Sequence, residues 1–214
     1  MTPSIFIIAC LIAVVALLWA EKRDNVRLRW LTKPTASAAF VLVALSGGAL
    51  NTGYGHWILA ALIFCMLGDI FLIPSGRRTF LAGMAAFAAG HGAYTGAFLS
   101  SGAEISTLFL FGAAGMIVFA LISLRWLWPH LDEFCWPVTF YTIIIATMVA
   151  ASLIAAPPGN MAMAPYWLVI AGALGFAISD LAVARDRFVA HQFSNKLWGL
   201  PPYYGAQLML AASV

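Results

Sequence analysis

Two carboxylates stand where a strongly apolar chain tolerates few charges. Asp69 lies in Gly68-Asp69-Ile70-Phe71-Leu72 and Asp180 in Ser179-Asp180-Leu181, each near the end of a long apolar run. Arg77 and Arg78 follow the first, and Arg185 and Arg187 follow the second. An ionisable group at membrane depth is costly, so it marks either a functional site or an ion pair with a nearby arginine. Both readings are open for both acids. Two carboxylates sharing one water-poor cavity can divide acid chemistry between them, one donating a proton and the other standing as a fixed negative charge.

Other polar residues fall close to them in depth. His91 and Tyr94, three residues apart, share a helical face, with Phe87 one turn earlier on the same stripe. A lone intramembrane histidine is more often a hydrogen-bonded packing residue than a catalyst, and it makes no zinc site without companions. His56, His130 and His191 fall in loops. Tyr203 and Tyr204 precede Gln207 by four and three residues, so the amide shares a face with either ring. Tyrosines near a membrane boundary serve as interfacial anchors as readily as they line a site, and Tyr141 admits the same two readings. Gln207, deeper in its apolar run, needs a partner. Lys33-Pro34 marks the entrance of another run, where Pro34 suits a first helical turn and Lys33 can snorkel or meet a phosphate.

At about 1.5 Å per helical residue, Lys33, Asp69, Tyr141, Asp180 and Tyr204 all fall in the half of the membrane nearest the basic loops. His91 and Gln207 reach somewhat deeper. Such convergence predicts a polar cavity open toward the basic side, the form expected of a site for an amphiphile. No Gly-rich phosphate loop, HExxH or GxSxG occurs, so we expect neither a metal nor a cofactor.

The elements that must position these residues are transmembrane helices. Of 214 residues, 63% are hydrophobic and 9% charged, whereas an ordinary soluble domain has about a quarter charged. A bilayer removes the need to hide that apolar surface. We therefore expect an all-α integral membrane protein, one polytopic domain over 1–214, a bundle of about eight transmembrane helices. The runs are 3–20, 34–51, 57–73, 79–99, 106–126, 137–156, 165–184 and 197–213. All 11 Lys and Arg fall in or beside alternate loops, after the first, third, fifth and seventh runs. The loops 52–56, 100–105 and 157–164 carry none. The positive-inside rule then puts the basic loops in the cytoplasm and both termini outside, in what we take for a bacterial inner membrane. The net charge of +3 comes from these scattered residues, which form no patch for nucleic acid. Cys10, Cys65 and Cys135 have no paired spacing and read as small buried hydrophobes. Because both acids must reach one cavity, we expect the runs 57–73 and 165–184 to be neighbours.

Taken in order, Lys33-Pro34-Thr35, Gly68-Asp69 with Leu72, Gly83 through Phe87 to His91 and Tyr94, Tyr141 with Met148, Gly175-Phe176 with Ser179-Asp180, and Tyr203-Tyr204 with Ala206-Gln207 resemble the YhhN family, the lysoplasmalogenases. The resemblance runs from about residue 33 to residue 208 and departs at Pro202 and at Gly205, where a larger apolar residue is expected. It implies hydrolysis of the vinyl ether of lysoplasmalogens to a fatty aldehyde and glycerophosphoethanolamine or glycerophosphocholine. The partners it implies are the lysophospholipid, water and membrane lipids. With it, Asp69, Asp180, His91 and Tyr141 become candidate catalytic residues, Asp180 favoured as proton donor. Lys33, Tyr94, Tyr203, Tyr204 and Gln207 become candidate substrate-binding residues. Two other readings stand beside this one. A small proton-coupled or lipid transporter would also use paired intramembrane acids, and the two Asp segments, four runs apart, hint at a duplication. A zinc amidohydrolase of the intramembrane ceramidase kind is disfavoured by the single histidine within the runs.

Overall fold

The computed structural model describes residues 3–102, 107–154 and 163–214, and the loops 100–105 and 157–164 lie partly outside these. Eight α-helices carry the described residues: α1 (Pro3–Lys22), α2 (Val26–Gly47), α3 (Gly53–Phe71), α4 (Arg77–Ser100), α5 (Thr107–Leu127), α6 (Cys135–Ile154), α7 (Met163–Ala184) and α8 (Phe193–Ala211). Five of them, α1, α3, α5, α6 and α7, are long and apolar enough to cross a membrane. The other three are diluted by small and polar residues, and these are the helices that carry Lys33, His91, Tyr203 and Gln207. Large apolar side chains face outward, among them Ile8, Ile12 and Val15 of α1 and Phe111, Ile117, Leu121 and Ile122 of α5. An apolar exterior of that extent does not suit water, and it marks an integral membrane protein.

Two helix starts differ from expectation. α2 begins at Val26 because the Asn25 side chain accepts the backbone N–H of Leu28 and caps it. Pro34 therefore lies inside α2, not in its first turn. The hydroxyls of Thr32 and Thr35 donate to carbonyls one turn back, at Leu28 and Leu31. α8 likewise begins before its run and continues through Pro201 and Pro202.

Glycines set the closest helix contacts. A Cβ at Gly68 of α3 would lie 2.7 Å from the Phe87 ring, and one at Gly90 of α4 would lie 2.7 Å from the Cys65 sulfur. On α7 and α8, Gly172 makes room for Leu210 and Gly199 for Ala182. Small residues thus let these polar-bearing helices approach closely, as in other membrane bundles. α3 packs on α4 and α2, and α7 packs on α8 and α6. The expectation that α3 and α7 are neighbours is therefore corrected. α8 touches both, and the ring of Phe87, standing over Gly68 and edge-on to Phe176 of α7, fills the wedge from the α4 side.

At the basic end a polar clasp joins α7 to α8. The chain leaves α7 through a π-helical turn, Arg185–Val189, whose Asp186 is buried. Asp186 accepts from Lys196 at 2.8 Å, the Asn195 amide at 3.2 Å and the Gln192 backbone N–H at 3.3 Å. Arg185 donates to the other end of the Asn195 amide. These bonds hold the start of α8, and hence Tyr203, in register with Asp180.

Candidate active site

A cavity of about 490 Å³ opens within the basic half of the bundle, between walls from α2 to α8. Five of the nine predicted site residues line it: Lys33, Asp69, Tyr141, Asp180 and Tyr203.

Asp69 is 2% exposed. It accepts from Lys33 Nζ at 3.3 Å, Ser37 Oγ at 2.6 Å and Tyr203 OH at 2.7 Å. Its cation is therefore Lys33, not Arg77, which pairs with Glu133 at 2.9 Å. Lys33 itself is buried on Asp69, so its expected place at the headgroup plane gives way to a counter-ion's place in the cavity wall. Ser37 was not singled out from the sequence. The signal was present, because it follows Lys33 by one helical turn and shares its face.

Behind this wall a hydrogen-bonded chain fixes Tyr203. Tyr94 OH donates to Gln207 Oε1 at 2.5 Å, and Gln207 Nε2 donates to Tyr203 OH at 3.3 Å. Tyr204 meets the Tyr203 ring edge-on at 4.7 Å and is almost fully buried. Tyr94, Tyr204 and Gln207 thus stand behind the cavity wall, not on it. Neither tyrosine of α8 is an interfacial anchor, since both are buried. A Cβ at Gly205 would meet nothing, so the departure there leaves its neighbours undisturbed.

Asp180 has a different setting. Tyr141 OH donates to it at 3.2 Å, His91 Nε2 lies 3.4 Å away, and its side chain keeps 15% exposure. His91 Nε2 is also 3.2 Å from Tyr141 OH, so the three groups form one triangle. His91 is fully buried, 4.5 Å from the Phe176 ring centroid, with Nδ1 at 3.1 Å from the Met148 sulfur. A thioether accepts but cannot donate, so an Nδ1–H···S contact leaves Nε2 as the accepting nitrogen, and because Tyr141 OH gives its one proton to Asp180, the proton Nε2 can accept is that of the protonated Asp180 carboxyl. Arg185 is engaged by Asn195 and Arg187 lies over Phe80, so neither serves Asp180.

Between the two carboxylates stand three aromatic rings. Phe87, Phe176 and Tyr203 meet edge to face, with centroids 6.1, 5.9 and 5.2 Å apart. Sequence reading missed this box, because aromatics in apolar runs look like ordinary core. Among the described residues no group of three His, Cys, Asp or Glu side chains is placed to hold a metal ion.

The sequence profile of the YhhN family matches residues 28–214. The chain belongs to the YhhN family. It is 31% identical over 160 residues to the lysoplasmalogenase TMEM86A of Bos taurus, covering 73% of this chain and 64% of that protein. It is 30% identical over 213 residues to the lysoplasmalogenase TMEM86B of Sus scrofa, covering 99% and 85%. The mouse TMEM86B lysoplasmalogenase is 29% identical over 212 residues. The chain thus spans less than two thirds of the bovine relative's length and most of the porcine one's. No solved structure matches.

Proposed function

We propose that this YhhN-family chain hydrolyses the vinyl ether bond of lysoplasmalogens by carboxylate acid–base catalysis, releasing a fatty aldehyde and glycerophosphoethanolamine or glycerophosphocholine. The observation that carries this reading is the unlike setting of two carboxylates on one cavity. Asp69 is saturated by three donors and serves as a fixed negative charge. Asp180 is held only by Tyr141 and His91 and keeps access to the cavity. Relatives named lysoplasmalogenase support the substrate class.

In this mechanism the Asp180 carboxyl gives its proton to the β-carbon of the vinyl ether, and the electron pair of the double bond forms the new C–H bond. The α-carbon and ether oxygen then share the charge of an oxocarbenium ion. Asp69 and the rings of Phe87 and Tyr203, which line the cavity with Phe176 packed behind them, stabilise that cation as it develops. Water adds to the α-carbon and returns its proton to Asp180, with Tyr141 and His91 relaying it. Collapse of the hemiacetal breaks the C–O bond, forms the aldehyde and protonates the departing glycerol oxygen. No net proton is consumed, and one water is.

The order of groups along the cavity suits such a lipid. Arg29 and Lys196 line its polar end, the carboxylates its middle, and Met116 and Ile145 its apolar end. That is the order of phosphate, ether linkage and chain. Mass spectrometry of the purified protein incubated with a lysoplasmalogen should find aldehyde and glycerophospho-base, with the saturated ether analogue left intact. Absence of aldehyde under conditions that support binding would sink the proposal.

The topology we propose has eight crossings, in a bacterial inner membrane, with the basic end in the cytoplasm and both termini on the other side. What supports it is the gathering of Lys22, Arg77, Arg125 and Arg185 at one end of the helices. A reporter fused after Val214 should report the non-cytoplasmic side. A cytoplasmic signal there means an odd number of crossings.

A further inference from the structure

The cavity ends at one level on four helices. On α5 its lining runs from Leu127 through Ser123 and Ala120 to Met116, positions that recur on one helical face. It stops at Phe87 on α4, at Ala146 on α6 and at Ala177 on α7. From Leu127 to Met116 the helix rises roughly 16 Å, about half of a hydrocarbon core of about 30 Å.

Beyond that level the bundle is filled. Tyr94, Met148 and Ala173 are fully buried there. α5 closes on α6 at Gly112, where a Cβ would fall 2.0 Å from a methyl of Leu153. The floor itself is made by Phe87, Met116 and Ile145, all buried and none with a hydrogen-bond donor.

We infer that the apolar end of the cavity is an alkyl-chain subsite of fixed depth, in which Met116 sets the longest chain the site accepts. This rests on the lysolipid reading, whose chain must lie beyond the carboxylates, and it adds a limit that the reading does not contain. Past Thr142, a chain entering from the carboxylate level meets Phe119, Ile145, Ala146 and Ala177 before Met116, none with a hydrogen-bonding side-chain group. Each methylene buried there strengthens binding until the terminal methyl reaches the floor. Further methylenes have no space except by displacing packed side chains, which a close-packed interior resists. Met116 is the adjustable part of that floor. It projects from α5, which packs on α6, and it takes no part in the hydrogen bonds of either carboxylate.

The test measures binding, not turnover, on the purified full chain. Saturated 1-O-alkyl lysophosphoethanolamines, which carry no vinyl ether, are titrated in order of chain length in wild type, Met116→Ala and Met116→Trp. In wild type, affinity should rise about fourfold per added methylene and then stop rising at a ceiling length. Met116→Ala should move the ceiling to longer chains and Met116→Trp to shorter ones. If the tryptophan variant fails to fold, the alanine variant alone decides. Affinity that keeps climbing through the longest chain, or a ceiling that neither variant moves, overturns the inference. Vinyl ether substrates run in parallel separate it from the hydrolase proposal. A ceiling that shifts while no aldehyde forms leaves the subsite standing and removes the hydrolase. Aldehyde released with one chain dependence in all three proteins does the reverse.

Discussion

Asp180→Asn should lower aldehyde release to about 1% of the wild-type rate or less while leaving the protein folded, because a general acid contributes roughly 10²–10⁴ in rate. The amide keeps the size of the carboxyl and can still accept from Tyr141, which now donates to the Asp180 carboxylate at 3.2 Å. Among the described residues no Lys or Arg pairs with Asp180, so removing its charge strands no buried cation. Melting temperature in detergent and binding of a saturated ether lysolipid should therefore stay near wild type, as expected when only transition-state stabilisation is lost. The measurement is aldehyde formed per folded molecule. Turnover at the wild-type rate would remove Asp180 from the chemistry, and a large fall in melting temperature with turnover preserved would make it a structural residue.

Asp69→Asn should behave differently, because it breaks a buried ion pair. Lys33 is 9% exposed and its ammonium lies 3.3 Å from Asp69. Breaking such a pair by removing one partner typically costs about 3–5 kcal/mol, since the other charge stays buried and uncompensated. The single variant should lose both thermal stability and yield. Adding Lys33→Met removes the stranded charge and should restore most of the stability, because buried pairs are often replaceable by apolar groups at little cost. Aldehyde release by the double variant should remain down by at least about two orders of magnitude, since the negative charge that stabilises the oxocarbenium ion is gone. Separate measurement of melting and turnover on the four proteins of this cycle divides the two roles. A double variant with wild-type turnover would reduce Asp69 to a structural partner of Lys33.

Much of the fold was legible because a bilayer imposes simple rules on a chain. The eight apolar runs lie within the eight helices to a few residues at most ends. The errors came where local chemistry overrides hydropathy. Asn25 caps α2 well before its apolar run, and α8 continues through two prolines, so hydropathy marked both starts too late. Convergence was legible in part: of the five residues expected at one level, Lys33, Asp69, Tyr141 and Asp180 line one cavity, whereas Tyr204 stands behind its wall. Which partner each would take was not. Arg77, close to Asp69 in sequence, pairs with Glu133, while the lysine that meets Asp69 is 36 residues away, as the numbering of Lys33 and Asp69 gives.

The sequence by itself determined which residues carry charge or a titratable group into the apolar region, and roughly how deep each lies. These follow from composition and from the fixed rise of a helix, neither of which needs a partner. Only the tertiary structure decided how they divide. It placed three donors on Asp69 and left Asp180 with Tyr141 and His91, and it drew Tyr94, Tyr204 and Gln207 back behind the wall. It also set the aromatic box and the floor at Met116, which in sequence are apolar residues among many others. The reason is geometric. Helical spacing relates residues on one helix, as in the Gln207–Tyr203 pair, whereas the bonds that surround Asp69 and Asp180 join different helices, whose rotation the close glycine contacts help set.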